Sequence, residues 1–127
     1  MDEHFQQTNQ NEKPFDICER TFCFAIRVVN FCAELDRKPG VTWTLSKQLL
    51  RSGTSIGANV EEGQAAQSKA DFISKYSIAR KEARETGYWL RLLSATGVSH
   101  SAEIKELLNE LGQLIKILTT IIKNAQK

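Results

Sequence analysis

Between Arg51 and Gly63 the chain runs Arg-Ser-Gly-Thr-Ser-Ile-Gly-Ala-Asn-Val-Glu-Glu-Gly, and this stretch limits the possible folds more than any other. At 3.6 residues per turn Leu45, Leu49, Ile56 and Val60 share one face, with Gly53 among them. A second stripe, Arg51, Ser55, Asn59 and Glu62, runs beside the apolar one at helical spacing. A glycine inside a helix costs about 1 kcal/mol relative to alanine. Gly53 and Gly57, one turn apart beside Ser52 and Ala58, are therefore expected to lower the helix surface so that a neighbouring helix can come close. The polar stripe then has two readings. Either Arg51 and Glu62 pair with charges on a neighbouring helix (Glu82, Glu85, Arg80 or Arg84) while Asn59 bonds backbone and fixes register, or the same groups line a groove for a ligand.

The remaining chain supplies three further helices. Pro14 and Pro39 are the only prolines, so nothing from Val41 onward breaks a helix by ring geometry. Residues 1–14 are polar and are expected to form a disordered tail ahead of a single four-helix domain, 15–127. The first helix should span about Phe15 to Lys38 and stop at Pro39-Gly40. Its main apolar stripe is Phe15, Cys18, Phe22, Ala25, Ile26, Val29, Cys32 and Ala33, widened by Ile17, Phe24, Val28, Phe31 and Leu35. Arg20, Arg27, Asn30, Glu34 and Lys38 hold the wet side. Thr42 or Thr44 should cap the second helix, which ends near Gly63 or Ala66. Ser68-Lys69-Ala70-Asp71 opens the third as a capping box. Its core stripe is Phe72, Tyr76, Ala79, Ala83, Gly87 and Leu90, and Ile78, Trp89, Leu92 and nearby Tyr88 lie on its other side. The fourth follows Ser101, with leucines and isoleucines at threes and fours from Ile104 to Ile122.

These patterns predict an all-α protein: an antiparallel up-down-up-down four-helix bundle. The first and third helices are apolar over wider sectors than one protomer needs, so the bundle is expected to assemble into a homo-oligomeric ring. Phe24 and Phe31 on the first helix, with Ile78, Tyr88, Trp89 and Leu92 on the third, are the expected contacts between copies.

Charge and cysteine content narrow the function. The net charge is +2, with −2 in the tail and +4 in the folded remainder. Arg80, Arg84 and Arg91 fall within about 40° on a helical wheel. Lys69, Lys75 and Lys81 add to them, and residues 69–93 hold six basic against three acidic residues. Such a row, Arg80, Arg84, Arg91, Lys69 and Lys81, is expected to bind a phosphate backbone with little sequence preference, unless Glu82 and Glu85 neutralise it within the helix. Cys18, Cys23 and Cys32 cannot bridge one another along one helix and are expected to be reduced, which suits a cytoplasmic protein. No apolar run reaches membrane-spanning length. His4 and His100 are the only histidines, and no Glu-x-x-His, Cys-x-x-Cys or phosphate-loop motif exists. No catalytic residue, metal or cofactor is expected; an enzyme would need convergent polar groups around Asn59 and Glu62.

The motif Arg51-x-x-x-Ser55-Ile56-x-x-Asn59-Val60-x-Glu62-Gly63 resembles the signature of a small bacterial family. These four-helix-bundle proteins are encoded in intervening sequences of large-subunit ribosomal RNA genes and are sometimes labelled ribosomal proteins. The likeness extends through Leu45, Gln48 and Leu49 on one side and Lys69, Phe72, Ile73, Ala79 and Arg84-Glu85 on the other, covering about residues 15–97. It implies a ring-shaped homopentamer whose cellular role is largely unknown. A protein similar to that family, the accessory variability determinant of diversity-generating retroelements, is a basic pentameric barrel that binds nucleic acid and a reverse transcriptase. The resemblance therefore implies RNA or DNA as a partner, with a pure protein-interaction module, touching partners through Trp89, Tyr88 and the first helix, as the alternative.

Overall fold

The computed structural model describes residues 16–99 and 101–127. The expected tail, Phe15, His4 and His100 lie outside the described residues. Four helices account for nearly everything else: α1 (Ile17–Leu35), α2 (Val41–Gln64), α3 (Lys69–Ala95) and α4 (Ala102–Gln126). No strand occurs among the described residues. Each helix packs against two others, in the cycle α1–α2–α3–α4.

The helix ends follow local chemistry, with two departures from expectation. Asp16 caps α1 through a 3.3 Å bond from the Glu19 amide to its carboxylate, and Ser68 caps α3 by accepting from the Asp71 amide at 3.0 Å. Ser101 does the same for the Glu103 amide at α4. α1 ends at Leu35, earlier than Lys38: the Arg37 and Lys38 amides bond the Glu34 and Leu35 carbonyls in tighter turns, and Pro39 disfavours helical backbone at Lys38. α2 starts at Val41 with no side-chain cap: Gly40, at φ 81°, turns the chain into the helix, and Thr44 bonds back to the Gly40 carbonyl instead of capping. Gly97 makes the corresponding left-handed turn after α3.

The glycines of α2 act as expected. A β-carbon on Gly53 would lie 2.8 Å from Val28 Cγ1, and one on Gly57 would lie 3.3 Å from the Thr21 carbonyl oxygen. Thr21 tolerates full burial because its hydroxyl donates to the Ile17 carbonyl at 2.8 Å. Cys32 and Ser46 join the same two helices reciprocally, each side chain bonding the other residue's carbonyl. On the α2–α3 side the Ser52 and Thr86 hydroxyls, both inaccessible, lie 3.0 Å apart. Gly63 receives the Tyr76 ring, itself stacked on Phe72 with centroids 4.3 Å apart.

The α1–α4 seam is ionic. Arg20 grips both carboxylate oxygens of Glu110, at 2.7 and 3.1 Å, and Arg27 reaches Glu103 and Glu106. The partner numbers fall along α4 as they rise along α1. These arginines, assigned to the wet side of the first helix, in fact form one wall of the bundle.

The core itself corrects the reading of α1. Ile17, Phe24, Val28, Phe31, Cys32 and Leu35 are buried, whereas Phe22, Ile26 and Val29 stand 53%, 45% and 46% exposed. The side set fills the core; of the stripe taken as central Cys32 is buried, Cys18 and Ala25 are half-buried, and Phe22, Ile26, Val29 and Ala33 turn outward. Phe24 and Phe31, expected at a subunit contact, lie inside the protomer and are not available to a second copy.

Candidate functional site

α3 sorts its charges by side. Glu82 and Glu85 turn toward α2: Arg51 bonds Glu82 at 3.4 Å and forms a close ion pair with Glu85. Its arginines lie on the opposite flank, beside α4, where Arg80 donates to the Thr119 hydroxyl at 3.4 Å. Arg84, Arg91, Lys69 and Lys81 are exposed, and Arg80 is half-buried. Among the described residues none of these five cations forms an ion pair. Glu82 and Glu85 are thus not the intrahelical partners that would have silenced the row, because Arg51 already holds them. The structure brings Arg80, Arg84 and Arg91 along one edge of α3; Lys69 continues that edge and Lys81 sits about 100° around it.

The polar stripe of α2 resolves residue by residue. Arg51 joins α2 to α3, as the register reading required. Ser55 donates to the Arg51 carbonyl at 2.6 Å, and Asn59 donates to the Ser55 carbonyl at 2.8 Å, so both satisfy their own helix. Glu62 is exposed and makes no ion pair among the described residues, contrary to its expected pairing with α3. Sequence reasoning missed what Arg51 does next. Glu85, held by Arg51, accepts a hydrogen bond from the Trp89 indole nitrogen at 3.1 Å. The Trp89 ring meets Tyr88 edge to face, with centroids 5.0 Å apart. Tyr88, 51% exposed, is therefore braced at one side by an anchored indole. Ile78, Leu92 and Trp89 are half-buried on the same helix.

Outside the α1–α2 seam Cys18, Phe22, Ala25, Thr54, Gly57, Ala58 and Glu61 line a groove of about 240 Å³. The cysteines are free thiols. Burial pushes all three thiols up from their ordinary range; Glu61 adds to this at Cys18 and Glu19 at Cys23, while the Ser46 hydrogen bond acts the other way at Cys32. Thiols held protonated in this way are poor nucleophiles at neutral pH. Among the described residues no group of three His, Cys, Asp or Glu side chains could hold a metal ion, and no helix is long and apolar enough to cross a membrane.

The family model described as 23S rRNA-intervening sequence protein matches residues 13–120. A crystal structure of a protein of unknown function from the S23 ribosomal protein family of Bacteroides thetaiotaomicron is similar at 44% identity and a TM-score of 0.78. The match covers 84% of this chain and 98% of that one. No functionally curated protein matches.

Proposed function

We propose, from the premise that this chain belongs to the 23S rRNA-intervening sequence protein family, that it is a non-enzymatic scaffold that binds RNA. In this reading the four helices are an antiparallel up-down-up-down bundle, and copies assemble in the cytoplasm as the five-membered ring that the family resemblance implies. Arg80, Arg84 and Arg91, with Lys69 and Lys81, contact phosphates, and repetition around the ring multiplies a weak single contact. One observation carries the proposal. Glu82 and Glu85 of α3 are held by Arg51 on one flank, which leaves the arginines of the other flank without an acidic partner among the described residues. The family's name and the similar structure's place among S23 ribosomal proteins point to the same class of partner.

A mobility-shift titration with a transcribed ribosomal RNA fragment tests this. The wild-type protein should retard the RNA at low salt and release it as salt rises. Arg80→Glu, Arg84→Glu and Arg91→Glu together should abolish the shift while light scattering shows the assembly intact. A triple variant that stays assembled and still retards RNA equally would remove the assignment. The second reading, a protein-interaction module, rests on the exposed Phe22, Ile26 and Val29; it predicts no retardation at any salt.

A further inference from the structure

We infer that the nucleic acid is taken as a single strand, lying in the groove between α3 and α4, with lysines of α4 as its second bank and Tyr88 as a stacking platform. The inference rests on the RNA-binding reading above and adds to it both a site and a strand type.

α4 sorts its charges as α3 does. Its acids Glu103, Glu106 and Glu110 all reach the arginines of α1. Thr119, which accepts from Arg80, marks the side of α4 that faces α3. On a helical wheel Lys105, Lys116 and Lys123 fall within about 60° of Thr119. All three lysines are exposed, and none is ion-paired among the described residues. No carboxylate of α3 or α4 falls in either cationic sector. The arginines of α1 and α2 hold Glu82, Glu85, Glu103, Glu106 and Glu110 at the outer seams, and Asp71, in the first turn of α3, falls about 180° from Arg80 on the wheel, so the α3–α4 seam keeps only cations.

The register interleaves the two banks. Arg80 is level with Thr119, and a β-carbon on Gly87 would touch Leu111. Lys123 and Lys116 therefore flank Arg80 along the seam, Arg84 and Arg91 follow, and Lys105 closes the far end. At 1.5 Å per residue the row is about 27 Å long. Two rows of cations along one helix seam suit one phosphodiester strand, whereas a duplex would meet such a surface along one edge only. Tyr88 falls about 40° from Arg84 on the wheel, on the side of the arginine row away from α4, is 51% exposed, and has its ring braced by Trp89. An aromatic face beside a basic channel is how single-strand binders hold bases without reading sequence.

Fluorescence anisotropy with a labelled oligouridine and with a duplex of equal length tests the inference, using the full chain. The single strand should bind the more tightly. Lys105→Glu, Lys116→Glu and Lys123→Glu together should flatten the slope of log affinity against log salt by about 2, at about 0.7 per phosphate contact. Tyr88→Ala should weaken oligouridine about tenfold, and Tyr88→Phe should restore it, because stacking needs the ring and not the hydroxyl. A preferred duplex, or an unchanged slope in the lysine variant while the arginine variant fails, would overturn the channel and leave the RNA-binding reading standing. Absence of binding to either probe at low salt would overturn both.

Discussion

Val28 and Gly53 meet so closely that any side chain at position 53 would strike the valine: a β-carbon there lies 2.8 Å from Cγ1 and 3.0 Å from Cγ2. Val28 is wholly buried and has no free direction in which to retreat. Replacing Gly53 with alanine should gain about 1 kcal/mol of helix propensity and lose about 1–3 kcal/mol to overpacking. The expected net is destabilisation. Gly112 on α4 is the control, since a β-carbon there meets nothing within 4 Å. Gly112→Ala should stabilise by about 0.5–1 kcal/mol. Thermal melts of the two variants should therefore shift in opposite directions. Equal upward shifts would mean that α1 does not sit on the glycines of α2.

Tyr76 links the α2–α3 packing to pH. Its ring fills the space over Gly63, its hydroxyl accepts a hydrogen bond from Gln64, and burial raises its pKa above the ordinary value of 10.0. The folded protein therefore holds this proton more tightly than the unfolded chain does. The resulting stability is intact below about pH 10 and is lost as the pH climbs from there through the raised value. Tyr76→Phe removes the titration, so between about pH 8 and about pH 11 it should lose less stability than the wild type. Denaturant midpoints at the two pH values check this. The raised thiols of Cys23 and Cys32 also titrate, but they do so in both proteins and cancel in the difference; the Cys18 thiolate adds to the rise at Tyr76, and that part leaves with the tyrosine.

How much of this was legible in the sequence depended on how many faces of a helix were apolar. α4 has one such face, and Ile104, Leu107, Leu111, Leu114, Leu118 and Ile122 are all buried as their spacing requires. α1 has two, and periodicity does not rank them. What ranks them is the partner: the hollow made by Gly53 and Gly57 accepts Val28 and Thr21, which draws Phe24 and Phe31 inward and turns Phe22, Ile26 and Val29 out. Thr21 and Thr86 look like surface residues in sequence, yet each bonds a carbonyl of its own helix at 2.8 Å and so enters the core at little cost. At the candidate site, a count of six basic against three acidic residues on the third helix left open which way the acids faced. Only the Arg51 contacts decide it, because they depend on where α2 lies.

The outward stripe of α1 gives the assembly its sharpest test. Phe22, Ile26 and Val29 fall within about 60° of one another and are each roughly half exposed in the protomer. If copies of the chain meet there, Ile26→Asp would bury a carboxylate in an apolar contact, at a cost of several kcal/mol. Within one protomer the same aspartate faces water and should cost little. The variant should therefore lose mass by light scattering while its helical circular dichroism persists. An unchanged mass would place self-association on another face. Loss of helix together with mass would show that α1 leans on this stripe for folding, which the exposure of Phe22 and Val29 argues against.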